Sequence, residues 1–304
     1  MQKFRESQLG ELISNSNPQM LLAGALLYAL GAGVVEYRGG LINWQDYILG
    51  QICVIMLQLS SLYLKVFYDR NLKFPQPSRN PSNSSQGETR IVARNAYLFL
   101  AVTALSISAM TTVLLIARQV LTPSVWMVLG LAFLFAFFYG TPPLRLVYSG
   151  YGELVAAVFF TNLLPGLAFL IQSDEFIQVL GMLTFPLTAL FLAMCLALSL
   201  ETYYTDIKEG RQNLMNRLGW QRGMFLHNLL IVFAFLLIGV GHLLKMPWSL
   251  TWPGLLPIPV GVFQIWQIWQ ITNGVKPRWR LLRVTAVATF SITLYLLVFT
   301  LWVR

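Results

Sequence analysis

Nine apolar runs, each long enough to cross the hydrocarbon core of a bilayer, constrain this chain more than anything else in it. They cover about 19–37, 47–68, 95–117, 123–139, 151–172, 177–200, 223–243, 254–272 and 282–303. A helix needs about 17–25 apolar residues to cross roughly 30 Å of hydrocarbon. Backbone amides in lipid must find partners within their own helix or within a closed barrel, so runs of this length imply helices. The expected fold is all-α: a polytopic membrane protein with nine transmembrane helices, forming a single integral-membrane domain over 1–304.

The charge supports this reading and orients it. Only 11% of the residues are charged and 56% are hydrophobic, whereas a soluble protein carries about 25% charged residues. The net charge of +9 does not point to nucleic acid, because the basic residues lie in short loops between spans. Sixteen Lys and Arg fall on one face under the nine-span reading and four on the other, with Lys65 left inside the second span. Basic loops stay cytoplasmic. That places the N-terminus and the loops at about 69–94 and 204–222 in the cytoplasm, and the C-terminus across the cell membrane. The Met1–Arg5 start has no adjoining apolar core, so no cleavable signal peptide is expected. Cys53 and Cys195 sit in apolar runs as small core residues rather than a disulfide or metal pair. The Pro/Ser/Asn-rich stretch 75–87 reads equally as a flexible connector or as a substrate lid. Tyr47, Trp126, Trp252, Trp279 and Trp302 mark interfacial anchors.

Two stretches interrupt the apolar pattern with chemistry. Glu201-Thr-Tyr-Tyr-Thr-Asp206-Ile-Lys-Glu209-Gly closes the sixth run, and Lys65-Val-Phe-Tyr-Asp69-Arg closes the second. Ionisable groups at span ends are costly and so mark functional candidates. Lys65 and Asp69, four apart, share a helical face and can pair, while Thr202 shares the face of Asp206. Such acids can also be plain interfacial charges. Carboxylates ringed by Arg and Lys suit a further chemistry: one or two carboxylates hold Mg²⁺ whose shell is completed by substrate phosphates. Arg and Lys hold the outer phosphate oxygens. A greasy organic group would lie back along the helix walls, which describes a prenyl diphosphate.

Three segments resemble the UbiA superfamily of intramembrane prenyltransferases. Tyr139-Gly-Thr-Pro-Pro-Leu-Arg145-Leu, followed by Gly150-Tyr-Gly152-Glu153, is similar to that family's Tyr-x-x-Pro-Pro-x-Arg-Leu…Gly-x-Gly-Glu segment. Asp206-Ile-Lys-Glu-Gly210-Arg211 through Leu218-Gly219 resembles its second Asp-rich motif, and Gln58-Leu59 through Asp69 resembles the approach to its first. The resemblance implies a nine-helix UbiA-like bundle that moves a polyprenyl group from its diphosphate to a small aromatic acceptor, with Mg²⁺ as cofactor. It implies Asp69 and Asp206 as catalytic metal ligands, with Glu201 as a displaced third. Arg145, Lys208, Arg211, Lys65 and Lys73 would bind diphosphate. Tyr139 and Glu153 would serve the acceptor or the structure, and aromatic spans would line a prenyl channel. The Gln58-Leu59 lead and the Leu218-Gly219 ending look most like the branch that prenylates dihydroxynaphthoate in menaquinone synthesis. The chain also departs from the pattern. Lys65-Val66 stands for Asn-Asp, Lys73 for the last Asp of the first motif, and Thr202 for the upstream Asp of the second. A family member that binds an isoprenoid or quinone without turnover is therefore the alternative. A secondary transporter fits less well, because its binding groups would lie at the midplane.

Overall fold

Apolar residues in lipid leave the backbone no partner but itself, and each apolar run of the sequence is accordingly helical. The computed structural model describes residues 17–69, 84–173 and 178–303, with 84–93 described in backbone only. In chain order the helices are α1 Pro18–Tyr37, α2 Trp44–Tyr68, α3 Ser84–Ala117, α4 Pro123–Phe138, α5 Gly152–Gln172 and α6 Gln178–Lys208. A short α7 Leu214–Leu218 precedes α8 Trp220–Leu243, α9 Trp248–Leu255, α10 Ile258–Thr272 and α11 Trp279–Trp302. Their starts follow local capping chemistry. Asn43 accepts the free Gln45 and Asp46 amides at the start of α2, and Thr122 accepts that of Val125 in α4. Pro stands in the first turn of α1 and α4, where its missing N–H costs nothing.

Seven of these helices are long and apolar enough to cross a membrane: α1, α2, α3, α5, α6, α8 and α11. The remaining two expected spans are helical but short. α4 has 16 residues and α10 has 15, which is about 24 Å and 22 Å at 1.5 Å per residue. The run at 254–272 is broken by its own prolines: Pro257 separates α9 from α10, since a proline ring cannot continue the ladder. α5 carries a π-turn over Phe159–Leu163, just ahead of Pro165. Widened turns of this kind accommodate a lost backbone bond within a helix.

α2 packs along α3, α6 along α8, and α1 against α5 and α11. Between them lies a core that includes Leu27, Leu57, Leu164, Phe191 and Leu294. A ladder of rings crosses it. Phe135 stacks on Phe159 at 3.8 Å, Phe159 meets Phe160, Phe160 lies over Phe191, and Phe191 meets Phe290 edge-on. These rings are buried against one another and form core packing. Two groups of buried polar side chains are knotted together between helices, as suits a lipid setting. Thr161, Asn162 and Thr188 form one knot between α5 and α6. In the other, Gln264 of α10 meets His227 of α8 at 2.8 Å and accepts from Thr289 of α11 at 3.0 Å. Asp46 is buried and paired with Arg118. Trp44, Tyr47 and Trp302 cluster at one rim, with the Trp302 indole donating to the Ala29 carbonyl at 2.9 Å. Cys53 and Cys195 are both free thiols.

Candidate active site

The ends of α2 and α6 meet the starts of α5 and α7 around a cavity of about 390 Å³. Its polar wall includes Lys65, Asp69, Glu153, Asp206, Arg211 and Asn213, and Leu62, Val66 and Val147 supply an apolar side. A larger cleft of about 480 Å³ between α6 and α8 is walled by Met182, Phe185, Leu237 and Val240 and has no ionisable residue in its lining. It does not compete as a site of chemistry.

Local backbone geometry delivers the α6 side of the cavity. Gly210 takes φ +66°, a left-handed conformation that ends the helix. The Gly210 amide returns to the Ile207 carbonyl at 3.1 Å and the Arg211 amide to the Asp206 carbonyl at 2.8 Å. This pair of bonds is a Schellman closure. The reversal turns the Arg211 side chain back across the cavity, where its Nη2 lies 3.7 Å from Asp69 Oδ2 and its Nε 3.2 Å from Glu209. Two residues later Asn213 caps α7, accepting the Asn216 amide at 2.7 Å, while its Nδ2 donates to Asp206 Oδ2 at 2.9 Å. Thr202, one turn earlier on α6, donates to the same Oδ2 at 2.7 Å. The amide of Leu214 donates to Glu153 Oε2 at 3.1 Å, so Glu153 ties the first turn of α5 to the first turn of α7.

On the α2 side, Lys65 lines the cavity together with Asp69, Arg211 and Glu153. The loop after α4 closes on this region. A Cβ on Gly140 would stand 2.5 Å from Lys65 Cα, so only glycine lets that loop lie against α2. The loop then runs through the cis Pro142–Pro143 bond to Arg145, in the left-handed region at φ 43°. Arg145 lines an adjoining recess of about 280 Å³ together with Asp69, Tyr148 and Arg211. Burial pushes the Tyr148 phenol well above its ordinary pKa, and Asp69 beside it adds to the shift. Tyr148 therefore stays a neutral donor.

Of the residues named from the sequence, Asp69, Asp206, Lys65, Arg211 and Glu153 share the cavity, and Arg145 reaches its edge through the recess. Three do not join them. Glu201 lies about 140° around α6 from Asp206 and is held by Arg283 of α11, with contacts of 2.6 and 2.7 Å from Nη2. Lys208 lies about 200° from Asp206 and is exposed. Tyr139 caps α4, packs on Phe135 at 4.9 Å and accepts the Val147 amide, which is a structural role. Lys73 lies outside the described residues. Tyr148, Asn213 and Thr202 are the site residues that sequence reasoning left unassigned. The capping position of Asn213, between a helix-ending Gly and an apolar turn, is the signal that marks it.

No protein-family model and no curated protein matches the chain. Solved structures do. A UbiA homolog from Archaeoglobus fulgidus, bound to GPP and Mg²⁺, aligns with a TM-score of 0.63 at 17% identity, covering 94% of this chain and 99% of its own. A digeranylgeranylglyceryl phosphate synthase aligns with a TM-score of 0.61 at 13% identity, covering 96% and 98%. The apo form of a UbiA homolog from Aeropyrum pernix K1 aligns with a TM-score of 0.59 at 14% identity, covering 89% and 96%. The similarity runs the length of each chain, and the fold is that of the UbiA homologs.

Proposed function

We propose that this chain is a membrane prenyltransferase of the UbiA type, binding a prenyl diphosphate with Mg²⁺ and passing the prenyl group to a small aromatic acceptor. The observation that carries the reading is the cavity itself. It joins two helix-end acids, Asp69 and Asp206, distant in sequence, to Lys65 and Arg211 beside an apolar wall. Homologs of this fold bind GPP or DMAPP together with Mg²⁺.

The donor set fits Mg²⁺ in one manner. Among the described residues no group of three or more His, Cys, Asp or Glu could hold a metal ion, so the protein does not build a closed cage. Asp206 would supply a single carboxylate, as suits an ion whose remaining positions go to phosphate oxygens and water, while Asp69 lies beside Arg211. When bound, Mg²⁺ offsets the negative charge that gathers on a departing diphosphate. Arg211 and Lys65 hold phosphate oxygens from the cavity wall, Arg145 does so from the recess, and the neutral Tyr148 phenol donates one further bond. The C1–O bond breaks with its electron pair passing to the diphosphate. An electron-rich carbon of the acceptor then attacks the allylic cation, and the acceptor loses its proton to the surroundings. The motif resemblance around Gln58-Leu59 and Leu218-Gly219 favours a dihydroxynaphthoate acceptor and quinone biosynthesis.

The test is purified protein given geranyl diphosphate, Mg²⁺ and dihydroxynaphthoate, followed by pyrophosphate release. Asp206→Ala should abolish release while the protein keeps its elution volume and helical signal. A fully active Asp206→Ala protein sinks the assignment. The cation pair beside Asp69 favours one second reading, a family member that binds an isoprenoid without turnover. Retained binding of geranyl diphosphate with no release, for any acceptor, supports that reading.

The charge asymmetry of the loops supports a cytoplasmic cavity, in a cell membrane. Cysteine introduced at Glu209 of a cysteine-free protein should react with impermeant maleimide only in inside-out vesicles. Labelling in right-side-out vesicles reverses the orientation.

A further inference from the structure

We propose that this site takes a single divalent cation, on Asp206, and that Lys65 and Arg211 occupy the place beside Asp69 that a second cation would need. The inference rests on the diphosphate reading above and specifies how that site neutralises its ligand.

The two acids differ in what surrounds them. Asp206 receives only neutral donors, Thr202 at 2.7 Å and Asn213 at 2.9 Å, and both fall on Oδ2. Neither bond uses its Oδ1, and the two donors orient the carboxylate as second-sphere partners orient a ligand. Asp69 sits instead beside a protein guanidinium, with the Lys65 ammonium on the same cavity wall. The Arg211 Nη2 is 3.7 Å from its Oδ2, and Lys65, in the last turn of the helix that Asp69 closes, lines the same cavity. A divalent ion on Asp69 meets the Arg211 cation at close range, with Lys65 on the same cavity wall, and each such charge repels it twice as strongly as it would a monovalent ion. The same two cations are well suited to phosphate oxygens, which a guanidinium meets with paired donors and an ammonium with a point charge. Neutralisation is thereby divided: protein cations serve one end of the diphosphate and a metal serves the other.

The experiment counts Mn²⁺, read by electron paramagnetic resonance, on detergent-purified protein with inorganic pyrophosphate as the probe. One Mn²⁺ per protein is expected when pyrophosphate is saturating. Asn213→Ala should weaken that Mn²⁺ by about tenfold or more, while Asp69→Asn leaves the count at one. Lys65→Asn, which removes one of the two repelling charges, should admit a second, weaker Mn²⁺. Two Mn²⁺ on the unaltered protein overturn the proposal, as does pyrophosphate binding with no Mn²⁺ at all. Failure to bind pyrophosphate with or without Mn²⁺ strikes instead at the prenyl diphosphate reading. Elution volume and pyrophosphate affinity of each variant show that a changed count is not a folding defect.

Discussion

Gly210 shows how one residue without a side chain sets the position of one with a long one. Its φ of +66° is uncomfortable for any L-residue, and a Cβ there would touch nothing within 4 Å. Gly210→Ala therefore carries a purely conformational cost of roughly 1–2 kcal/mol, with no clash to relieve. If the turn relaxes instead, Arg211 leaves Asp69. Thermal unfolding in detergent should show a modest loss of stability, and pyrophosphate affinity should fall further than that loss explains. Unchanged affinity would separate Arg211 from phosphate binding. Much of this scale was legible in the sequence. Asp69, Asp206, Lys65 and Arg211 stand out because charge is rare in so apolar a chain. Glu201 and Lys208 stood out for the same reason, and the structure sets them aside by azimuth, about 140° and 200° away from Asp206 on α6. Asn213 and Tyr148 escaped because they are uncharged and act through turns whose closure depends on tertiary contact.

Helix ends, more than helix bodies, build the site, and Glu153 is the link between two of them. Its carboxylate accepts the Leu214 amide, satisfying one of the orphan donors at the start of α7. A hydrogen bond to a charged group contributes about 1.5–3 kcal/mol. Glu153→Ala should lower stability by an amount of that order and loosen α7, which carries Asn213 at its cap. Glu153→Gln keeps the acceptor and should recover most of the loss. Equal damage from both substitutions would mean that the charge, and not the bond to Leu214, matters. At this scale the existence of the helices followed from apolar length alone. Their interruptions did not. Pro257 and Pro259 fall on the run at 254–272 and Pro253 just before it, and a count of apolar residues weighs them too lightly against their effect on the ladder. The 16-residue α4 is likewise apolar throughout, and its shortness comes from the turn at Tyr139 that brings Gly140 against Lys65.

The whole molecule brings three acids from separate elements, Asp69, Glu153 and Asp206, into one cavity and ties other buried polar groups into knots between helices. One of those knots bears on how the protein is made. The short α10 carries two buried glutamines, and their partners belong to other helices: Gln264 to His227 of α8 and Thr289 of α11, Gln267 to Thr285 of α11. While the ribosome still holds α11, both glutamines lack their α11 partners, and a segment about 22 Å long has little reason to commit to lipid. Chains stalled with α11 in the exit tunnel should leave a cysteine placed at Val262 open to aqueous maleimide, and released full-length chains should protect it. Protection in the stalled chain would show that α10 inserts unaided. α11 thus supplies the hydrogen-bond partners that let the short helix before it bury its glutamines.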